Sequence, residues 1–218
     1  MLQVVTIDGI SGSGKSSTAK LLAKALGFFH LDSGAMYRML TLVSIKQGLK
    51  PDQHFDLKQV ADSLEFSFAE NGELLANGKS LPPEIRSPEI SSHVSEFCKA
   101  KDVRAALAKQ QRKLGVSRPC VAEGRDMGTV VFPDAQWKFY MTARPEVRAK
   151  RRAKELEKAG MPADYNEILQ NLQERDSKDT TREHSPLRQA DGAVEIDTSD
   201  LTLDEQVSIL SRLVRNAP

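Results

Sequence analysis

The chain contains only two cysteines among its 218 residues, Cys98 and Cys120. They do not form a CxxC pair and no histidine pattern accompanies them, so the sequence predicts neither a disulfide framework nor a zinc site. Two isolated thiols are typical of a protein in a reducing compartment. We therefore expect a cytoplasmic location.

Long apolar stretches and an excess of one charge are also missing. No run of eighteen apolar residues occurs, and residues 1–8 lack the basic region and apolar stretch of a secretion signal. The 31 Lys and Arg residues nearly balance the 30 Asp and Glu residues, which leaves a formal net charge of +1. Without a long apolar run, the sequence does not predict a membrane as a partner. Because long nucleic acids are held by excess positive charge, it does not predict a nucleic acid polymer either.

What the sequence does contain is the balance of one ordinary globular domain, with 39% hydrophobic and 28% charged residues. Short apolar segments alternate with segments of helical spacing such as 145–158 and 203–214. This alternation predicts an α/β fold with a parallel sheet. The predicted strands are Leu2–Ile7, Phe28–Leu31, Pro119–Ala122, Trp137–Met141 and Ala193–Ile196.

Three segments depart from the alternation. Residues 64–81 contain Asn71-Gly72 and Asn77-Gly78, two strong hairpin-turn signals, and predict a small antiparallel sheet. Residues 87–114 have helical spacing. Residues 159–187 are polar and rich in both charges, which predicts a mobile lid.

A glycine-rich motif directly follows the first predicted strand. Residues 9–16 read GISGSGKS and match the pattern GxxxxGK(S/T), with a helix predicted from Lys15 onward. In this setting backbone N–H groups surround a phosphate, Lys15 bridges the β- and γ-phosphates, and Ser16 offers its hydroxyl to the Mg²⁺ that accompanies ATP. The predicted ATP-binding residues in this motif and directly after it are Gly9, Ser11, Gly12, Ser13, Gly14, Lys15, Ser16 and Ser17.

The glycine-rich motif is that of P-loop proteins, and the rest of the sequence excludes one class of them. A GTPase would carry a DxxG switch motif and an NKxD guanine-binding motif, and neither occurs after Ser16. The remaining classes are phosphotransferases and ATPases.

Three further motifs resemble those of bacterial cytidylate kinases: residues 31–38 read LDSGAMYR, residues 124–135 read GRDMGTVVFPDA and residues 175–182 read RDSKDTTR. The resemblance runs nearly end to end and includes the hairpin segment. It implies a P-loop NTPase fold whose five-stranded parallel sheet is flanked by helices, with a nucleoside monophosphate (NMP) binding insertion and a helical lid. The implied boundaries are 1–38, 100–158 and 187–218 for the core, 39–99 for the NMP-binding region and 159–186 for the lid.

By this resemblance the chain would transfer the γ-phosphoryl group of ATP to CMP or dCMP, with Mg²⁺ and no covalent intermediate. An acceptor phosphate has a second pKa of about 6, so it needs no strong base, and we assign the four histidines no catalytic role. The reaction instead needs cations that stabilise the transferring phosphoryl group. The implied catalytic residues are Lys15, Arg125, Lys178 and Arg182.

The residues that the resemblance implies for CMP binding form three groups. Those for the phosphate are Ser33, Arg38, Arg125 and Arg182; those for the base are Ser95, Arg104 and Asp126; those for the sugar are Arg175 and Asp179. The spacing of residues 175, 179 and 182 places them on one face of a predicted helix, where an ordinary helical salt bridge is the alternative interpretation.

Three further positions either depart from the family pattern or have two interpretations. Lys178 stands where relatives commonly have arginine. A lysine keeps the positive charge but cannot make the bidentate contact to phosphate that an arginine makes. Asp32 is predicted either to hold a magnesium-bound water or to position Lys15. Arg148 is predicted to lie beside the donor nucleotide, and a solvated helix face is the alternative.

Two other functions stay open at this point. A kinase for another small acceptor, such as UMP or dTMP, would have similar phosphate-binding parts. An ATP-dependent switch or assembly factor would also carry the glycine-rich motif, but it would bind a protein or RNA. For the cytidylate kinase function the expected partners are the small molecules ATP and CMP or dCMP, and the resemblance implies a monomer.

Overall fold

The predicted strands form one parallel sheet in a computed structural model that describes residues 3–158 and 160–216. The strands of this sheet are β1 (Val4–Gly9), β2 (Phe29–Asp32), β6 (Cys120–Gly124), β7 (Trp137–Thr142) and β8 (Val194–Asp197). Their order in the sheet is β2-β6-β1-β7-β8, and helices flank the sheet on both sides. The first strand is buried at all six of its positions, as expected for a central parallel strand covered on both faces.

The helices lie between the strands as the sequence pattern predicts. They are α1 (Lys15–Leu26), α2 (Ser33–Lys46), α3 (His54–Ser63), α4 (Pro88–Phe97), α5 (Lys101–Ser117), α6 (Pro145–Lys158), α7 (Tyr165–Thr181) and α8 (Leu203–Arg215). No helix of the described ranges is both long and apolar enough to cross a membrane.

Alternate residues of β1 pack into two separate hydrophobic clusters. Val4 lies with Leu31, Met36 and Leu107 on the face covered by α2, α3 and α5. Val5 lies in the other cluster, on the face covered by α1 and α8. The sheet is therefore buried on both faces, and only its edges and strand ends are accessible.

The register of the parallel strands brings polar residues together at one edge of the sheet. Asp8 of β1 lies opposite Gly124 of β6, and Asp32 of β2 lies opposite Glu123 of β6. These residues end their strands at the carboxyl edge, where α/β proteins bind their ligands. The segment after each of the three strands therefore starts at the same place.

The antiparallel insertion is present as predicted. Strands β3 (Phe66–Phe68), β4 (Leu74–Ala76) and β5 (Lys79–Ser80) form a separate three-stranded sheet. Asn77 and Gly78 both have positive φ, at 49° and 73°, as the two central residues of a type I′ hairpin turn require. The prediction of the fold class, including this second sheet, is confirmed.

Several element boundaries differ by a few residues from the sequence prediction. The helical spacing over 87–114 belongs to two helices, because the backbone becomes extended at Ala100 between α4 and α5. The second helix also continues to Ser117. The first strand runs through Gly9, two residues past its predicted end, whereas its predicted start at Leu2 lies outside the described residues.

The predicted lid consists mainly of α7, which packs against α6. Ala149 of α6 meets Ile168 and Leu172 of α7 in a small hydrophobic cluster separate from the two main ones. Residue 159, the predicted start of the lid, lies outside the described residues. A helix that is attached by its own small cluster can move with little disturbance of the main cores.

Candidate active site

The turn between β1 and α1 forms a cradle of backbone N–H groups. Gly12 and Gly14 have φ values of 75° and 88°, in the left-handed region that favours glycine. Gly14 directly precedes α1, so the unpaired N–H groups of the first helical turn point toward the cradle. This is the arrangement that the glycine-rich motif requires for holding a phosphate group.

Lys15 lies at the floor of a cleft of ≈ 940 Å³ that runs along the carboxyl edge of the sheet. Its Nζ donates to the carbonyl oxygen of Ile10 at 3.2 Å, and the side chain is buried. Burial, and then the charge of Arg125, lower the pKa of Lys15 to about 7. An anion bound in the cleft would counteract both effects, so the site favours an anionic ligand.

Ser16 lies beside a buried carboxylate. Its hydroxyl donates to Glu123 Oε2 at 2.6 Å, and His30 Nε2 lies 3.1 Å from Glu123 Oε1. A hydroxyl next to a carboxylate is an oxygen donor set of the kind that Mg²⁺ prefers. No group of three or more potential metal-binding side chains occurs among the described residues, and a metal that arrives with ATP needs few protein ligands. The site therefore fits a nucleotide-bound Mg²⁺.

Asp32 bonds to an arginine of α2 and to an arginine of the segment that follows the antiparallel sheet. It accepts from Arg38 at 3.2 Å and from Arg86 at 2.9 Å, and it caps α2 by accepting from the N–H of Ala35. Burial opposes ionisation of this carboxyl, but Arg38 and Arg86 outweigh burial and hold its pKa below the ordinary value. Arg38 is thus held at the cleft by a carboxylate that stays ionised.

Asp179 of α7 connects the predicted lid to the core. It accepts from Arg125 Nε at 2.7 Å, and Arg182 Nη1 lies 3.7 Å from its other oxygen. Burial would raise the pKa of Asp179, yet Arg125 and Arg182 hold it below its ordinary value. Burial, followed by the charge of Arg125, lowers the pKa of Arg175 to about 10. Four charged side chains from two separate sequence motifs therefore meet at one point of the cleft.

Arg104 and Asp126 form the most enclosed ion pair on the cleft wall. Arg104 Nη2 donates to Asp126 Oδ2 at 2.6 Å, and both side chains are less than 8% exposed. The Arg104 guanidinium also lies 4.9 Å from the ring centre of Tyr37. Ser95 of α4 lines the same cleft. The three residues predicted to bind the base therefore all face one cavity.

The cleft arginines keep unused hydrogen-bond donors. Within the described part of the chain, four of their buried nitrogens have no hydrogen-bond partner: Arg38 Nε, Arg104 Nε, Arg175 Nε and Arg182 Nη2. A buried donor left unsatisfied costs about 1–3 kcal/mol, so such groups are uncommon in a finished structure. Their concentration here indicates that a ligand with several acceptor oxygens completes the site.

Arg148 joins the glycine-rich turn to the lid helix. It donates to the carbonyl oxygen of Ser11 at 3.0 Å and to Asp176 Oδ2 at 2.6 Å, while Asp176 Oδ1 accepts from the Ser11 N–H at 3.2 Å. Arg148 is only 3% exposed, so the alternative of a solvated helix face is wrong. Nearby, Lys178 Nζ lies 3.4 Å from Glu96, which ties the lid to α4.

Some predicted residues occupy other positions than expected. Asp32 pairs with two arginines, whereas Lys15 donates to a backbone carbonyl, so the two side chains are not partners in this conformation. Arg182 lies one residue beyond the end of α7 with an extended backbone, because the chain leaves the helix there. Asp179 pairs with Arg125 and Arg182, not with Arg175 in a helical i,i+4 bridge.

Four polar residues of the site were not predicted from the sequence. Glu123 and Asp176 bond to the glycine-rich turn or α1, Arg86 bonds to Asp32, and Asp8 bonds to the segment after β6. A carboxylate directly before the Gly124 turn, at the end of a strand beside β1, is the one signal that could have identified Glu123.

Comparison with known proteins shows which family the chain belongs to. A family model described as "Cytidylate kinase" matches residues 5–216. The chain belongs to the cytidylate kinase family. The family resemblance inferred from the three sequence motifs is thereby confirmed.

Individual relatives of the cytidylate kinase family match over almost the whole chain. The chain is 46% identical to a cytidylate kinase of Parabacteroides distasonis, over 93% of this chain and 92% of that protein. It is 43% identical to a cytidylate kinase of Geobacter sp. strain M21, over 97% and 92% of the two proteins. An uncharacterised protein of Eubacterium ventriosum has a similar solved structure, with a TM-score of 0.55, 12% identity and full coverage of both chains. That last likeness concerns the fold alone.

Proposed function

We propose that this chain transfers the γ-phosphoryl group of ATP to CMP or dCMP, giving ADP and CDP or dCDP. The observation that carries the proposal is the convergence, in one cleft, of the glycine-rich turn with arginines from three other sequence motifs. Membership of the cytidylate kinase family supports the choice of acceptor. The predicted division into core, NMP-binding region and lid is part of the proposal.

The donor would lie along the glycine-rich turn. The N–H groups of the turn and Lys15 would hold its β- and γ-phosphates, and the Ser16 hydroxyl with Glu123 would hold Mg²⁺, directly or through water. Bound Mg²⁺ supplies positive charge that neutralises the phosphate oxygens. Arg148 would act on the donor indirectly, because it fixes the carbonyl of Ser11.

The acceptor phosphate would bind among Ser33, Arg38, Arg125 and Arg182. Its anionic oxygen attacks the γ-phosphorus while the bond from that phosphorus to the ADP oxygen breaks, so ADP leaves with the bonding electron pair. The arginines bring two polyanions together and stabilise the charge that spreads over the transferring group. Closure of the lid, with Lys178, would exclude the water that competes with CMP.

Recognition of cytosine would depend on Arg104, Asp126 and Ser95. Cytosine presents an exocyclic amine beside the acceptors N3 and O2. A carboxylate accepts from the amine, and a guanidinium donates to the acceptors. Uracil presents a carbonyl in place of the amine, which would face the carboxylate of Asp126. Arg175 and Asp179 would contact the sugar.

An ADP-release assay with a panel of acceptors tests this function. We expect slow ADP formation with ATP and Mg²⁺ alone, and a large increase on addition of CMP or dCMP. Activity with UMP or dTMP instead would favour the kinase for another small acceptor. ATP hydrolysis unaffected by any monophosphate would contradict the kinase function and favour an ATP-dependent switch or assembly factor.

Binding of ATP should also change the protonation of Lys15. Its pKa of about 7 leaves it largely neutral at pH 8, and adjacent phosphates would raise that pKa. We therefore expect uptake of about one proton on MgATP binding at pH 8 and almost none at pH 6. Calorimetry in buffers of different ionisation enthalpy measures this number. Equal uptake by the Lys15→Met variant would contradict the assignment.

We expect the kinase to be a monomer of the cytoplasm. The two most exposed large apolar side chains of the described chain, Phe55 and Val116, lie on different helices, α3 and α5. Light scattering at several protein concentrations measures the oligomeric state directly. A molecular mass that doubles within the physiological range of protein concentration would contradict a monomer.

A further inference from the structure

Asp8 is a fully buried carboxylate at the end of β1, only 2% exposed. Its Oδ1 accepts from the N–H of Met127 at 2.8 Å, and its Oδ2 accepts from the N–H of Gly128 at 2.7 Å. Both donors belong to the first turn of a short π-helical segment, Met127–Val131. One side chain of the central strand thus binds the segment that follows β6.

The geometry uses both oxygens of this carboxylate. Two consecutive N–H groups at the start of a helical turn have no partners within the turn, and each bonds one oxygen. An amide in place of the carboxylate would offer one acceptor and direct its NH₂ group toward the second donor. A Cβ atom on Gly128 would lie 3.1 Å from Thr6 Oγ1 and 3.4 Å from Asp8 Oδ2, so a side chain there would press on this contact.

Two residues of the proposed acceptor site directly precede the turn that bonds to Asp8. Asp126 directly precedes Met127 and accepts from Arg104 at 2.6 Å. Arg125 precedes Asp126 and donates to Asp179 at 2.7 Å. The backbone of Arg125 and Asp126 leads directly into the turn whose first two N–H groups bond to Asp8.

We propose that Asp8 is a positioning residue for the acceptor, which holds Arg125 and Asp126 in place without touching CMP itself. The inference rests on the proposed function, because it concerns binding of the acceptor base and phosphate. Asp8 lies on β1, directly before the glycine-rich turn. It therefore fixes the acceptor side of the cleft from the strand that leads into the donor side.

The charged state of Asp8 supplies an independent readout. Burial raises the pKa of Asp8 to about 7, and the ionisable groups that face it are Asp126, Arg125 and Tyr140. Above pH 7 the carboxylate accepts from both N–H groups. As the pH falls below 7 the carboxyl takes up a proton and loses acceptor capacity. The contribution of Asp8 to acceptor binding should therefore decrease between pH 8 and pH 6.

Steady-state kinetics of the full chain with Asp8→Asn tests the proposal. At pH 8 we expect the KM for CMP to rise about tenfold, which corresponds to about 1.4 kcal/mol, with the KM for ATP within about twofold. Preference for CMP over UMP in kcat/KM should fall. The ratio of the variant's KM for CMP to that of the unmodified chain should shrink toward 1 at pH 6, because both then lack the second acceptor.

Val5→Ala is the matched control, since Val5 lies on the same strand in the core cluster and touches no part of the acceptor site. It should lower the thermal midpoint without changing either KM. An unchanged KM for CMP in Asp8→Asn, a proportional rise in the KM for ATP, or an equal effect of Val5→Ala would overturn the inference. If Asp8→Asn does not fold, Gly128→Ala reaches the same turn, and an unchanged KM for CMP in that variant would overturn the inference equally.

The two proposals fail in different ways. If the unmodified chain shows no stimulation of ADP formation by CMP, the proposed function fails before any variant is examined. If CMP stimulates the unmodified chain and the KM for CMP is unchanged in Asp8→Asn, or in Gly128→Ala where Asp8→Asn does not fold, the positioning role alone is wrong.

Discussion

Replacement of Lys15 by methionine is expected to lower kcat by about 10³-fold, in the upper part of the range for losing one group that stabilises transition-state charge. Methionine keeps the length and apolar stem of the side chain but removes the ammonium group. Since Lys15 is buried at the floor of the cleft, methionine should fit the same space and preserve the fold. The loss should appear mainly in kcat, because the charge on the transferring phosphoryl group is greatest in the transition state.

Lys24→Met is the matched control for this experiment. Lys24 lies on the same helix, in its last turn, and its side chain is exposed. We expect its kcat to stay within about twofold of the unmodified value, as is usual for surface substitutions away from a site. Retention of more than a tenth of the activity in Lys15→Met, with an unchanged thermal midpoint, would contradict the role assigned to Lys15.

The Arg182→Ala variant should lose about 10²–10³-fold in kcat/KM for CMP. Arg182 Nε is fixed by the carbonyl of Ser185 at 2.5 Å, its Nη1 lies near Asp179, and its buried Nη2 has no partner within the described chain. The side chain is thus held in place while one donor stays available for the acceptor phosphate. Truncation removes that donor and a positive charge together.

Two further variants separate charge from geometry at this position. Arg182→Lys keeps the charge but cannot bond a phosphate with two parallel N–H groups, so its activity should fall between those of alanine and arginine. Arg212→Ala removes an exposed arginine of α8 and should leave kcat/KM unchanged. If Arg182→Ala and the unmodified chain had equal kcat/KM for CMP, the assignment of Arg182 to the acceptor phosphate would be wrong.

The fold could be predicted largely from the sequence because its signals are local. A buried parallel strand is a short apolar run, and an Asn-Gly pair marks a hairpin, so each of these elements is visible within a few residues. The break between two elements was harder to predict than their type. Residues 87–114 keep helical spacing across the break at Ala100, so the spacing predicted helix there but not where one helix ends and the next begins.

The site could be predicted only in part because many of its contacts join residues far apart in the chain. Ser16 and Glu123 are 107 positions apart, and Asp8 and Met127 are 119 positions apart. No periodicity or local motif indicates such a pair. The arginines assigned to the acceptor were predicted through resemblance to a family. Arg86 and Glu123, which lie outside the three motifs, and Asp176, which lies inside one of them, were missed.

The position of Asp179 has a consequence for how tightly a substrate can be held. In the structure this carboxylate is the counterion of Arg125 and Arg182, which would otherwise repel one another. An acceptor phosphate that binds the same guanidinium groups, as proposed, would compete with that counterion, so part of their attraction is already offset. The carboxylate would return to the guanidinium groups as the diphosphate departs. We therefore expect these three side chains to favour modest affinity and rapid release of the product.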